Sequence, residues 1–263
     1  MTVQPRTFGA VGVLQQFDLT GKVAVVTGGS RGLGRAMALG FAEVGADVVI
    51  ASRKLDNCEA VADDVRIRFG RRALAVSFHQ GHWEDCDRLV DTVYDHFGTI
   101  DVLVNNAGLS PLYPDLPSVT EELYDKVLAV NLKGPFRLSS LVGTRMAAGD
   151  GGCIINIGTI GAVRPNKFSL PYACAKAGLN ALTVGLADAF APKVRANCIM
   201  PGNFLPPSYS IPREFTGRAG EGPPSPHADP EQIVGTAIYL ASDASSFTNG
   251  TLIRVDGGQF RQT

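Results

Sequence analysis

Val23-Ala24-Val25-Val26-Thr27-Gly28-Gly29-Ser30-Arg31-Gly32-Leu33-Gly34 is the stretch on which the fold turns. Its first five residues form an apolar, largely β-branched run of strand length, and glycines follow at once. Arg35 to Val44 then takes up a helical pattern that ends at Gly45, as helix C-termini often do. Strand, glycine turn and helix in that order set bare backbone N–H groups and a helix N-terminus where a phosphate can sit. The glycines fall at Gly28, Gly32 and Gly34 rather than in the G-x-G-x-x-G spacing, so this stretch alone could also be a plain tight turn.

Outward from it the alternation continues. Asp47 to Ser52 reads as a second strand, a helix runs from about Asp56 to Phe69, and Ala73 to Phe78 is a third strand. Ser52 and Arg53 stand where a ribose lies if the first turn holds pyrophosphate. An acidic residue there suits the 2'-hydroxyl of NAD, whereas a hydroxyl and an arginine suit a 2'-phosphate, and Arg31 adds to the same side. Two ordinary surface arginines would look the same. His79-Gln80-Gly81-His82 reads as a polar loop at the sheet's edge, with no third ligand that would make a metal site of its histidines. A helix to Phe97 leads into a fourth strand, Ile100 to Val104, and then into Asn105-Asn106-Ala107-Gly108, small and amide-bearing residues that let a ligand come close. Val119 to Met146 is helical, with an interruption expected at Asn131 to Pro135 because proline removes a backbone donor.

The chemistry concentrates between Cys153 and Leu182. Gly152 to Gly158 reads as a buried strand with Thr159 just past its carboxyl end, where open α/β sheets place their ligands. Tyr172 and Lys176 are four apart on a helical run, so they share a face. An ammonium beside a phenol favours the phenolate, and the expectation is a Tyr172 pKa below its usual value near 10. Such a pair alone is weak evidence, since it arises often on solvated helix faces. Val194 to Met200 is a sixth strand ending in Pro201-Gly202, and a last helix and strand close at Asp256-Gly257-Gly258. Residues 203–228 are rich in proline and glycine, with Phe204, Tyr209 and Phe215 as apolar anchors, and read as a lid.

Composition excludes several classes. The 263 residues are 45% hydrophobic with a formal net charge of -1 and no long run of one sign, so there is no electrostatic footprint for nucleic acid or an anionic membrane. Arg66, Arg68, Arg71 and Arg72 read as a solvated helix end. Five widely spaced cysteines in mostly apolar settings argue for buried thiols in a reducing compartment, and no signal-like or membrane-spanning stretch stands out, so a soluble cytoplasmic protein is expected.

With these pieces placed, the chain resembles the short-chain dehydrogenase/reductase family from Lys22 to Gly258. The resemblance is carried by Thr27 to Gly34, Asn105-Asn106-Ala107-Gly108, Asn131, Tyr172-x-x-x-Lys176, Pro201-Gly202 and Val255-Asp256-Gly257-Gly258. It implies one Rossmann-like, doubly wound α/β domain over residues 1–263, with a seven-stranded parallel sheet, a tail at 1–17 and a substrate lid at 203–228. It implies assembly as a homotetramer or homodimer through the long helices around Val119 to Met146 and Tyr172 to Ala189. For the cofactor, NADP(H) favoured over NAD(H), it implies contacts from Gly28, Ser30, Arg31, Gly32, Leu33, Gly34, Ser52, Arg53, Asn105, Ala107, Gly108, Tyr172, Lys176, Pro201, Gly202 and Phe204, the last approaching the carboxamide. For catalysis it implies Tyr172 as general acid/base, Lys176 on the ribose, Asn131 anchoring a water, and Thr159 in the place of the family's serine. A small or medium ketone or secondary alcohol is the expected substrate, and the lid residues Phe204, Tyr209 and Phe215 point to a largely apolar one. The chain departs from the pattern at Thr159, at His79 where the family usually has an aspartate facing adenine, and at Pro206. A catalytically weak dinucleotide-binding regulatory protein is the alternative reading.

Overall fold

In β1 (Val23–Thr27) all five side chains are buried. Ala24 and Val26 join the core on one side of the sheet, Val23 and Val25 the core on the other, which is why this strand reads as a continuous apolar run rather than an alternating one. The structure is a computed structural model, described here for residues 12–204 and 228–260. The 203–228 lid therefore lies outside the described residues except at its ends, where the Ala228 N–H donates to the Asn203 carbonyl at 3.0 Å.

Around β1 the elements follow as α1 (Gly32–Glu43), β2 (Asp47–Ser52), α2 (Leu55–Phe69), β3 (Ala73–Ser77), α3 (Trp83–Phe97), β4 (Val102–Asn105), α4 (Glu121–Leu128), α5 (Gly134–Ala148), β5 (Gly152–Ile157), α6 (Leu170–Ala189), β6 (Val194–Pro201), α7 (Val234–Ala241) and β7 (Leu252–Val255). Seven parallel strands lie in the order β3-β2-β1-β4-β5-β6-β7. The core on one face is built with α1, α2 and α7, through Phe41, Val61 and Leu240 among others. The other is built with α3, α5 and α6, through Leu89, Leu138 and Leu186. The winding reverses between β1 and β4, so the crevice at the carboxyl ends of those two strands is where such a sheet binds its ligand.

One expectation is refined and one corrected. The interruption of the long helix expected at Asn131 to Pro135 is a π-turn at Ala129–Lys133, with the Gly134 N–H reaching back five residues to the Ala129 carbonyl, and residues 121–148 stay helical through it. Proline is tolerated because it sits in the first turn of α5. The arginines after α2 are also more than a solvated end. Arg71 and Arg72 converge on the buried carboxylate of Asp47, at 3.3 and 2.7 Å. Four cysteines are buried and Cys174 is exposed, all of them free. Among the described residues no helix is long and apolar enough to cross a membrane.

Candidate active site

The glycine turn is shaped by close approach. Gly28 has φ +63°, and a Cβ there would stand 2.9 Å from the Ala107 Cα, while one on Gly34 would stand 2.3 Å from the Gly28 carbonyl. Gly32 also has positive φ, +54°, with open space above it. Arg31, the N-cap of α1, gives no side-chain cap, so the N–H groups of the first turn face outward with the positive end of the helix dipole. Leu33 packs back against the core. Two residues that sequence reasoning quoted but gave no role fasten this turn to β4. Thr27 Oγ1 accepts from the N–H groups of Asn106 and Ala107 at 3.0 and 3.1 Å, and Asn106 Nδ2 donates to the carbonyls of Thr27 and Gly28 at 2.8 and 3.3 Å. Their signal was position: a hydroxyl and an amide at the ends of neighbouring strands.

At the end of β2, Ser30 Oγ donates to Ser52 Oγ at 3.0 Å. Arg31 and Arg53 are exposed, and among the described residues neither makes an ion pair. The His79 ring stacks on His82 with centroids 4.1 Å apart, and its Nδ1 accepts from the Gly81 N–H at 3.2 Å, which leaves the proton of the neutral ring on Nε2. Burial first, then His82 and Arg53, hold the His79 pKa below its ordinary value.

At the end of β4 the side chain of Asn105 is committed to the interior: its Nδ2 donates to Ser139 Oγ and Asn156 Oδ1, both at 2.9 Å. Only its backbone is left to face a ligand. Gly108 lies against Asn131, with a virtual Cβ 3.3 Å from Oδ1. Asn131, fully buried in the π-turn, gives Nδ2 to the carbonyls of Leu109 and Val127 at 2.8 and 2.9 Å and receives the Leu109 N–H at 3.3 Å. Its side chain is thus spent on backbone. Its own carbonyl lacks the α-helical donor four residues on, because residue 135 is proline.

Thr159 stands two residues beyond β5, with Oγ1 accepting from the Gly161 N–H at 3.1 Å, so the hydroxyl proton remains available to donate. The helix that carries Tyr172 and Lys176 begins with Pro171 in its first turn and no cap from Ser169. The missing cap is supplied from 57 residues away: Tyr113 Oη accepts the Leu170 N–H at 2.8 Å. Lys176 Nζ donates to the Ile157 carbonyl at 2.6 Å and lies 5.8 Å from the centre of the Tyr172 ring. Lys176 is 3% exposed and makes no ion pair among the described residues. Burial pulls its pKa down to about 8.

The expected lowering of the Tyr172 pKa is overturned. Burial pushes the phenol up to about 12, against a smaller opposing pull from its hydrogen bond with Thr159. The lysine charge is bound to a carbonyl and is itself weakened by burial, so proximity along the helix does not win. Pro201 ends β6, and Gly202 is wedged against Asp256, where a Cβ would stand 2.9 Å from its Cα. Phe204 is half-buried against the core. Thr159, Tyr172 and Lys176 thus meet at the carboxyl end of β5, beside the crevice that holds the glycine turn.

A family model described as short chain dehydrogenase matches residues 22–210. An uncharacterised oxidoreductase of Mycobacterium tuberculosis is 38% identical over 252 residues, covering 94% of this chain and 95% of its own. The 2-dehydro-3-deoxy-D-gluconate 5-dehydrogenase of Pseudoalteromonas atlantica is 36% identical over 258 residues, covering 94% and 98%. Among solved structures, L-sorbose reductase from Gluconobacter frateurii, complexed with NADPH and L-sorbose, superposes with a TM-score of 0.85 at 30% identity, over 94% of this chain and all 100% of that one.

Proposed function

The chain belongs to the short-chain dehydrogenase/reductase family, and from that premise we propose an NADP(H)-preferring oxidoreductase that interconverts a ketone and a secondary alcohol, with Tyr172 as general acid and base. The observation that carries this reading is the convergence of the Thr159 hydroxyl, the Tyr172 phenol and a buried Lys176, with no carboxylate partner among the described residues, at the end of β5. The residues present fit the cofactor. The uncapped first turn of α1 over the open Gly32 suits a pyrophosphate, and Ser30, Ser52, Arg31 and Arg53 offer two hydroxyls and two cations without an ion pair among the described residues to a 2'-phosphate. Asn105, Ala107, Gly108, Pro201, Gly202 and Phe204 complete the proposed set of contacts.

Bound nicotinamide supplies or accepts the hydride, which no side chain can do. In reduction, Tyr172 gives its proton to the carbonyl oxygen while Thr159 donates a hydrogen bond to the same oxygen. In oxidation Tyr172 takes the proton back from the alcohol. Lys176 supplies the positive charge that steadies the phenolate, and the Asn131 carbonyl, left without an α-helical donor by Pro135, holds the water that leads protons to solvent. A phenol pushed up to about 12 keeps its proton at neutral pH, which favours carbonyl reduction there.

Relatives named for a keto-sugar acid and for L-sorbose support a polyhydroxylated ketone or alcohol as substrate. The apolar preference expected from the lid rested on Phe204, Tyr209 and Phe215. Of these, Tyr209 and Phe215 fall outside the described residues and Phe204 packs on the core. Exposed Tyr124, Phe136 and Val184 on α4, α5 and α6 support association into dimers or tetramers through those helices. The regulatory alternative is not favoured, since the named relatives are dehydrogenases and reductases.

Two substitutions test the parts. Arg53→Ala removes a charged contact of a kind whose loss costs about ten- to a hundred-fold in affinity, so titration should show that weakening for NADPH and almost none for NADH. Equal losses for both would mean that Arg53 does not read the 2'-phosphate. Thr159→Val should lower kcat by about 10²-fold, whereas Thr159→Ser, which keeps the donor, should stay within about three-fold. A fully active valine variant would remove Thr159 from the mechanism.

A further inference from the structure

His79-Gln80-Gly81-His82 was expected to be a polar loop at the sheet's edge, yet Gln80 is turned inward and only 4% exposed. Its Nε2 donates to two backbone carbonyls, Ala107 at 3.0 Å and Val130 at 2.9 Å. Both amide protons are thereby used, and Oε1 is left buried with no partner among the described residues. Flipping the amide would set an oxygen against two carbonyl oxygens, so the two acceptors fix its orientation.

The Val130 carbonyl is the one that an unbroken α-helix would bond to the Gly134 N–H. Here that N–H goes instead to Ala129, and the helix widens into the π-turn that contains Asn131. The backbone of Gln80 presses on the same point: a Cβ on Gly134 would stand 1.9 Å from the Gln80 carbonyl oxygen. A polar group inserted into the i→i−4 ladder is a recognised cause of such distortions, and π-turns gather at functional sites. From the far side, Asn131 grips Leu109 through both halves of its amide. Gln80 and Asn131 therefore hold the segment 107–109 against the π-turn from both ends.

We infer that Gln80 is a positioning residue: its amide opens the α4–α5 helix at Val130 and so sets Asn131 and the Ala107 floor of the crevice in one register. The role assigned to Asn131 rests on the proposed reaction, but the wedge does not. Gln80→Met keeps length and bulk while removing both donors. In a crystal structure of Q80M the Gly134 N–H should return to the Val130 carbonyl and the π-turn should close. With Asn131 displaced, kcat should fall by about ten- to a hundred-fold, and the NADPH dissociation constant, through the loosened Ala107, should rise by a smaller factor, under about ten-fold. A residue that merely packs would move the melting temperature and leave kcat alone.

A π-turn that persists in Q80M overturns the inference whatever the activity. Closure of the turn with unchanged kcat supports the wedge and removes Asn131 from the reaction, an outcome that Asn131→Ala would then repeat. If Q80M does not fold, Gln80→Asn, which withdraws the amide by one methylene, should close the turn in the same way, and persistence there counts equally against the wedge.

Discussion

Tyr172→Phe is expected to lower kcat by about 10³-fold, the scale of a lost general acid, while NADPH binds nearly as before. The substitution removes one oxygen from a half-buried ring whose helix is held by other groups: Pro171 in the first turn, the Tyr113 cap on Leu170, and the Lys176 bond to Ile157. None of these touches the phenol oxygen, so the fold and the cofactor crevice should survive. The loss should appear in kcat, and a transient kinetic trace should show normal cofactor binding followed by hydride transfer slowed on the same scale. Turnover within a few-fold of the parent would mean that another group moves the proton.

Lys176→Met should cost activity on a similar scale, about 10²- to 10³-fold, yet leave the protein as stable at pH 7 or more so. The reason is the sign of the shift. Burial lowers the Lys176 pKa from 10.5 to about 8, so the charged amine opposes folding. That penalty is fully present below pH 8, where both folded and unfolded chains carry the proton. It fades as pH rises from about 8 to 10.5, where only the unfolded chain still holds it. A methionine of similar length carries no such penalty. The melting temperature of K176M should therefore match or exceed that of the parent at pH 7, and the difference should shrink towards pH 10. A variant that is inactive because it is unfolded at pH 7 would contradict this account. The same buried charge explains the cost in activity. Tyr172 must first lose its proton before it can take one from an alcohol, and in the proposed reaction the Lys176 cation steadies that phenolate, so alcohol oxidation in K176M should need a higher pH than in the parent.

What could be read from the chain follows from which forces are local. β1 was legible because a strand buried on both faces must be apolar throughout, and the turn after it because positive φ and close backbone approach leave room only for glycine. The spacing of Tyr172 and Lys176 placed both on one turn of α6. Burial depth was not legible. The i,i+4 spacing gave the neighbour but not the desolvation that outweighs it, so the direction of the Tyr172 shift was misjudged. Gln80 looked like a loop residue because its acceptors lie 27 and 50 residues away in sequence. Tyr113 is invisible as a helix cap for the same reason, with donor and acceptor 57 positions apart. The interruption near Pro135 is legible because removal of a donor is local, whereas the Gln80 bond to the Val130 carbonyl, made from the loop after β3 and 50 residues away, is not.

The most direct test of the central claim is to mix purified protein with NADPH, and separately with NADH, and follow cofactor absorbance while polyhydroxylated and apolar ketones are added in turn. Consumption of NADPH, faster than of NADH, on at least one polyhydroxylated ketone is the expected result, with Y172F about 10³-fold slower. Cofactor binding with no consumption across the panel, or equal consumption by Y172F, would contradict it.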